Sequence, residues 1–338
     1  MTITFSPKEI NLEPDSNSLK IISDDVTDFK WGKLPTQRTI DELLNYGIIN
    51  LDKPANPTSH EVVSFVKKIL NIPRAGHSGT LDPKVTGVLP TALGKATRIL
   101  DSLLLAGKEY ICNMRLHKDV DEERIKQIMK GYIGDIYQRP PMRASVKRVL
   151  RVRRIYDSEI IDIEGRDVLF RISCQAGTYI RKYVHDIGQS LSCGAHMKEL
   201  RRTKSGPFTE DDFLSSLQNL YDAWSLYKEE NKEIPLRNII LPMEYGIKHL
   251  PKIIVKDSAI DPLCHGAPLG LPGVSKISKD FESGEFIAIL SLKHELVAFG
   301  ETQMNAKDLE EKETGLVASV KRVLMPIGTY QSKKKDSS

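Results

Sequence analysis

One acidic residue is singled out by its surroundings. Asp82 lies in "RAGHSGTLDPKVTGVLPTALGKATRIL" (Arg74–Leu100), a stretch with four glycines, one histidine and an Asp-Pro step. Three chemistries compete for such a loop: a phosphate cradle, a helix start and the seat of a nucleophile. A phosphate-binding P-loop needs Gly, four residues, Gly-Lys and then Ser or Thr. Here Leu89 takes the first glycine position and Ala96 follows Gly94-Lys95, so the cradle is excluded. Asp82-Pro83 is a sound N-cap and N1 pair. Yet Gly87 and Pro90 forbid a sustained helix behind it, and capping does not explain Gly76, His77 or Gly79. In the third reading Pro83 keeps Asp82 out of the α region. Gly76 and Gly79 then let backbone approach a ligand, and a nearby cation keeps the carboxylate ionised for attack. On residue types alone the second and third readings both stand.

The candidate cation is Arg181. It belongs to "GTYIRKYVHDIGQSL", where Ile180, Tyr183, Val184, Ile187 and Leu191 repeat at helical spacing. With Thr178 as the N-cap, Arg181 falls at N3, where a capping box carries Glu and the helix dipole disfavours a cation. An anion is expected to offset it, and Asp82 qualifies. Tyr110, Tyr179 and His77 offer flat surfaces for a nucleobase. Equally, Tyr110 fits a strand core and Tyr179 a helix-start anchor.

The elements that must position these residues can be read along the chain. Residues 1–35 are polar and weakly patterned, the texture of an extension that packs late or stays mobile. "TIDELLNYG" reads as a short helix closed by Gly47, and "IINLDKP" as a strand. In "TSHEVVSFVKKIL", Thr58 and Glu61 form a capping box and Pro73 ends the helix. "KATRILDSLL" is a short helix, and "KEYICNMRL" a strand with Tyr110, Cys112, Met114 and Leu116 on one side. "DVDEERIKQIMKG" is a polar helix capped by Asp119, and "DVLFRISCQ" is a strand. Residues 208–250 read as a helical connection. From Pro251, short apolar runs separated by Gly, Pro and Asp suggest a β-barrel of about 75 residues. The tail "QSKKKDSS" (331–338) is disordered by composition. The domain reading is therefore an extension at 1–35, an α+β domain at 36–250, a small all-β domain at 251–330, and the tail.

Charge adds a partner class. The net charge is only +4, but residues 136–205 hold 15 Lys/Arg against 7 Asp/Glu, and "MRASVKRVLRVRR" has six basic residues and no acid. Such a local concentration is the footprint of a polyanion, although a solvated charged strand also accounts for it. The four cysteines are far apart without a CxxC pair, which argues against a disulfide framework or zinc site and for a reducing compartment. No apolar run approaches the ~18 residues of a membrane span, and the first residues lack signal-peptide features. The expectation is a cytoplasmic protein with no membrane association.

Several long motifs together resemble the TruB/dyskerin pseudouridine synthases. "GHSGTLDPKVTGVLPTALGKATRIL" resembles that family's catalytic motif, and "INLDKPANPTSHEVV" the motif before it. "YQRPPMRASVKR" resembles the RNA-gripping thumb. "GTYIRKYVHDIG" and "MKELRRTKSGPF" resemble the later active-site and RNA-contact motifs. "GAPLGLPGV…GEFIAIL…ELVAFGETQM" is similar to a PUA domain. The likeness runs in order over about residues 36–328 and points to the archaeal type, the catalytic subunit of H/ACA guide ribonucleoproteins.

The resemblance implies an α+β catalytic domain, with a mixed, mainly antiparallel sheet flanked by helices, plus a small all-β PUA pseudo-barrel. It implies isomerisation of uridine to pseudouridine in RNA with no cofactor and no metal. The partners would be tRNA, rRNA, H/ACA guide RNA and small ribonucleoprotein proteins. Asp82 would be the nucleophilic carboxylate; attack on the base, attack on the sugar and a glycal route all start from it. Arg181 would orient Asp82, and Tyr110 would stack on the flipped base. His77, Tyr179 and Leu200 would line the substrate pocket. RNA contacts would come from Lys53, Arg143, Lys147, Arg148, Arg151, Arg153, Arg154 and Arg202, and from Gly266, Ala267, Leu269 and Gly273 of the PUA turn. The competing reading, a non-catalytic RNA scaffold, is disfavoured by the intact Asp82, Tyr110 and Arg181.

Overall fold

The computed structural model describes residues 6–14, 18–140, 147, 149–309 and 312–331. Its strands are β1 (Leu19–Ile21), β2 (Gly47–Lys53), β3 (Ala75–His77), β4 (Thr86–Leu93), β5 (Lys108–Leu116), β6 (Gly134–Gln138), β7 (Arg151–Glu164), β8 (Asp167–Cys174), β9 (Ala195–Ser205), β10 (Phe208–Thr209), β11 (Ile240–Pro242), β12 (Lys252–Val255), β13 (Leu269–Gly270), β14 (Val274–Ser278), β15 (Phe286–Ser291), β16 (Leu296–Thr302) and β17 (Leu316–Val323). The helices are α1 (Ile40–Tyr46), α2 (Ser59–Leu70), α3 (Leu100–Leu105), α4 (Glu122–Gly131), α5 (Ile180–Ser190), α6 (Leu217–Glu230), α7 (Glu233–Arg237) and α8 (Asp257–Cys264). The chain divides into two compact units, one from Ile49 to Ile240 and the other built from the chain before and after it.

In the first unit the sheet runs β2-β4-β9-β5-β8-β7-β6, with β3 on β4 and β10 on β9. β5 pairs antiparallel with both β8 and β9, whereas β4 meets β9 in parallel. The alternation along β5 buries Cys112, Met114 and Leu116 on one face. There they join Phe170 of β8 and the Ile180, Tyr183, Val184 and Ile187 stripe of α5 in one core. The α2 capping box is present: the Thr58 hydroxyl accepts from Glu61 N–H at 3.2 Å, and Glu61 accepts from Thr58 N–H at 2.7 Å.

Two expected local breaks differ. Gly87 and Pro90 do not interrupt structure but lie within β4, seven of whose eight residues are buried. α4 is capped by Asp121, whose carboxylate accepts from Arg124 N–H, rather than by Asp119.

The second unit contains a seven-stranded sheet, β1-β14-β12-β15-β16-β17-β13. Here the N-terminal segment departs from the expected mobile extension, because β1 pairs with β14 from Leu19↔Ser278 to Ile21↔Lys276. Asp257 accepts from Thr27 and from Asp28 N–H, which fastens the following residues as well. α1 is not closed by a left-handed glycine, since Gly47 has φ −104 and opens β2. The segment from 251 is also not purely β, because α8 packs its Ile260 and Leu263 into the core. A buried Arg38–Glu244 pair, with bonds of 2.6 and 2.7 Å, links chain segments 206 residues apart.

Candidate active site

The Asp82 backbone is held from both sides. Before it, the buried Ser59 hydroxyl, at the first position of α2, accepts from Leu81 N–H at 2.9 Å and donates to Leu81 C=O at 3.1 Å. After it, Pro83 C=O accepts from Asn56 N–H at 2.9 Å and from the Lys53 ammonium at 2.9 Å. Lys53 also donates to Val85 C=O and Pro54 C=O, both at 2.8 Å. The side chain is left open: the Asp82 carboxylate is 56% exposed.

This arrangement corrects one expected RNA contact. Lys53 is completely buried and its three protons are committed to carbonyls, so it is a clamp on the loop rather than a phosphate ligand. Burial lowers its pKa from the ordinary lysine value, while the Asp82 charge opposes the shift.

Arg181 donates to the Asp82 carboxylate across 99 residues of sequence. α5 starts one residue later than expected. Its N-cap is Tyr179, Thr178 instead donates to Gln175 C=O at 2.7 Å, and Arg181 occupies N2. The dipole argument survives the shift, because N2 still faces the positive end of the helix. Both partners are more than half exposed. Ion pairs of that kind contribute about 0–1 kcal/mol to folding. The pair is therefore too weak to be a staple, and what it does is fix the direction of an otherwise open carboxylate.

Tyr110 lies on β5 opposite Arg202 of β9. The Arg202 guanidinium is 1% exposed and donates to Val88 C=O at 2.7 Å, to Gly79 C=O at 3.1 Å and to the Tyr110 hydroxyl. Arg202 is therefore a second internal clamp and not an RNA contact. Burial raises the Tyr110 pKa above the ordinary phenol value, so the ring meets a ligand as a neutral phenol.

Two of the glycines fit against this clamp. Gly79 turns with φ +81, and a Cβ on Gly87 would lie 2.2 Å from Arg202 C=O. A side chain on Gly76 would meet Leu100.

His77 ends β3 and packs its ring against His60 at 5.1 Å. Burial, with the nearby His60 and Arg202 charges, pushes its pKa down to about 4. It is neutral at physiological pH. Tyr179 and Leu200 are half-buried, and Leu200 pairs with Cys112 across β5–β9. Tyr179 precedes Arg181 by two residues, so these side chains share the entry to α5.

Of the basic thumb, Arg143 and Arg148 lie outside the described residues. Lys147 and Arg154 are exposed, and Arg154 stands 3.4 Å from Asp135. Arg151 and Arg153 are partly covered and donate to the carbonyls of Lys147 and Val152. In the second unit Gly266 is exposed with φ +86 and Ala267 is half-buried. Leu269 is 2% exposed within the core, so its side chain is not an RNA contact, whereas Gly273 is half-buried and abuts Ala259. Sequence reasoning missed Ser59, Asn56 and Gln138. Ser59 reads as an ordinary helix start, and nothing local marks a hydroxyl that reaches another loop.

Known proteins share this arrangement of elements. Residues 67–180 match the TruB family pseudouridylate synthase N-terminal domain, and 181–248 the tRNA pseudouridylate synthase B C-terminal domain. Residues 8–63 match the DKCLD (NUC011) domain and 251–324 the PUA domain. The chain is 50% identical over 304 residues to a probable tRNA pseudouridine synthase B of Methanosarcina barkeri, covering 90% of each. It is 52% identical to the protein of that name from Methanopyrus kandleri, again over 90% of each. Among solved structures it superposes with TM-score 0.88 and 48% identity on a chain of an H/ACA RNP bound to a substrate RNA containing 2′-deoxyuridine, covering 93% of this chain and 96% of that one. A chain of a Cbf5–Nop10–Gar1 complex gives TM-score 0.88 and 51% identity, covering 91% and 94%. This chain belongs to the TruB family of pseudouridine synthases.

Proposed function

We propose that the protein isomerises specific uridines in RNA to pseudouridine, as the catalytic subunit of an H/ACA-type guide ribonucleoprotein and, without a guide, on tRNA. The observation that carries this reading is the exposed Asp82 carboxylate, gripped through its backbone neighbours and paired with Arg181. The target base must leave its stack, at a cost of roughly a few kcal/mol met by contacts to the extruded nucleotide. Tyr110 supplies a neutral aromatic face beside the carboxylate. Asp82 acts as the nucleophile: it bonds to the base or the sugar as N1–C1′ breaks, that bond is released once C5 has bonded to C1′, and the C5 proton leaves to solvent. Arg181 holds the carboxylate where it is needed through a charge-assisted hydrogen bond. Lys147 and Arg154 are exposed and would meet phosphates, which contribute affinity without sequence information. The four cysteines are free and buried, which fits a reducing, cytoplasmic setting.

The H/ACA reading follows from the similarity to chains solved in such complexes, and the tRNA reading from the names of the M. barkeri and M. kandleri relatives. Tritium release from 5-tritiated uridine RNA tests both. The protein alone should release tritium slowly from tRNA. A guide RNA with small partner proteins should redirect release to the guide-specified uridine. A guide RNA that neither binds nor redirects would overturn the ribonucleoprotein reading.

A further inference from the structure

α5 has no cap of its own. Tyr179 offers no side-chain acceptor at the N-cap, and N3 is Lys182, which pairs with Asp186 instead of reaching back. In a capping box an N3 Glu or Gln would bind the N-cap N–H. That task falls to Gln138, 41 residues upstream. Gln138 ends β6, is 1% exposed, and directs its amide at one residue: Oε1 accepts from Tyr179 N–H at 2.9 Å and Nε2 donates to Tyr179 C=O at 3.2 Å. The grip imitates a neighbouring strand, and it fixes the backbone two residues before Arg181.

The same hairpin is fastened a second time. From β7, Arg154 N–H donates to Gln175 Oε1 at 3.2 Å, and Gln175 N–H donates to Arg154 C=O at 2.8 Å. The Arg153 guanidinium covers Gly177, where a Cβ would lie 3.2 Å from Nε and Nη2. β6 leads directly into the basic stretch that begins at Arg139, and β7 leads out of it.

We infer that Gln138 is a positioning residue for the reaction: its amide holds the start of α5 so that Arg181 aims Asp82, and it ties that aim to the hairpin that carries the basic RNA-binding stretch. A shift of the hairpin on RNA is then felt at the start of α5. The inference rests on the reading of Asp82 and Arg181 as the reacting pair.

The test uses the full chain with 5-tritiated tRNA under single turnover at saturating protein, with RNA affinity measured separately. Gln138→Ala should slow release about 10- to 100-fold, with affinity within about threefold of wild type. Gln138→Glu gives a signature that mere loss of packing does not. As a carboxylate it still accepts from Tyr179 N–H but sets a second oxygen against Tyr179 C=O. Once protonated, it donates to that carbonyl as the amide does. At a position 1% exposed and facing a carbonyl, that carboxyl is held above the ordinary glutamate range, so the variant's rate relative to wild type should climb as pH falls from 8 to 5, while the Gln138→Ala ratio stays flat. A Gln138→Ala rate equal to wild type, equal losses of rate and affinity, or a pH-independent Gln138→Glu ratio would each overturn the inference. Asp82→Asn separates the layers. Release that survives Asp82→Asn overturns the active-site reading itself. Release lost there but normal in Gln138→Ala overturns the clamp alone.

Discussion

At the scale of single residues, the site depends on which charges are buried and which are left open. Asp82 and Arg181 remain accessible, whereas Lys53 and Arg202 spend their donors on backbone carbonyls. Sequence revealed the first pair because Arg181 sits badly at a helix N-terminus and asks for an anion. It misjudged Lys53 and Arg202, because a basic residue in a motif gives no sign of how deeply the fold will cover it. His77 illustrates the electrostatic consequence. Its folded pKa of about 4 lies below the ordinary 6.5, so the unfolded chain takes up a proton first as pH falls. The stability due to neutral His77 is fully present above pH 6.5 and is lost between 6.5 and 4. A His77→Asn variant should lack about 2 kcal/mol of that acid-side decline, after allowing for partial solvent screening. Urea unfolding followed by Trp224 fluorescence in a Trp31→Phe background measures it, and parallel pH curves for the two proteins would contradict the assignment.

At the scale of elements, those with a periodic or capping signal of their own were legible, and strands defined only by their partners were not. α2 announced itself through Thr58 and Glu61, and β5 through its alternation. β4 was hidden because Gly87 and Pro90 are breakers in isolation. Its parallel register with β9, Gly87↔Arg202, is what demands the glycine. β9 was hidden because its polar residues fill an open face, where Arg201 pairs with Asp52 and Glu210. The consequence for function is that the Asp82 loop is set by β2 and α2 together. Lys53→Ala should leave three carbonyls short of a donor, destabilising the unit by about 2–3 kcal/mol and slowing catalysis, with RNA affinity unchanged. A selective loss of affinity, measured by filter binding, would restore Lys53 as an RNA contact.

At the scale of the whole chain, the order of motifs was readable, but the closure of the second unit was not. Strand β1 finds its partner β14 more than 250 residues away, and no local periodicity encodes such a pairing. Likewise the Arg38–Glu244 pair joins two segments that look unrelated in sequence. No helix among the described residues is long and apolar enough to cross a membrane. What unifies the chain is a family fold that presents one open carboxylate beside a cation and an aromatic ring, with a basic segment leading away from them.

The most direct test of that account is tritium release by Asp82→Asn under single turnover, with RNA binding measured on the same preparation. The account predicts that release falls to background while affinity stays within about threefold of wild type. Undiminished release in the Asn variant would contradict it.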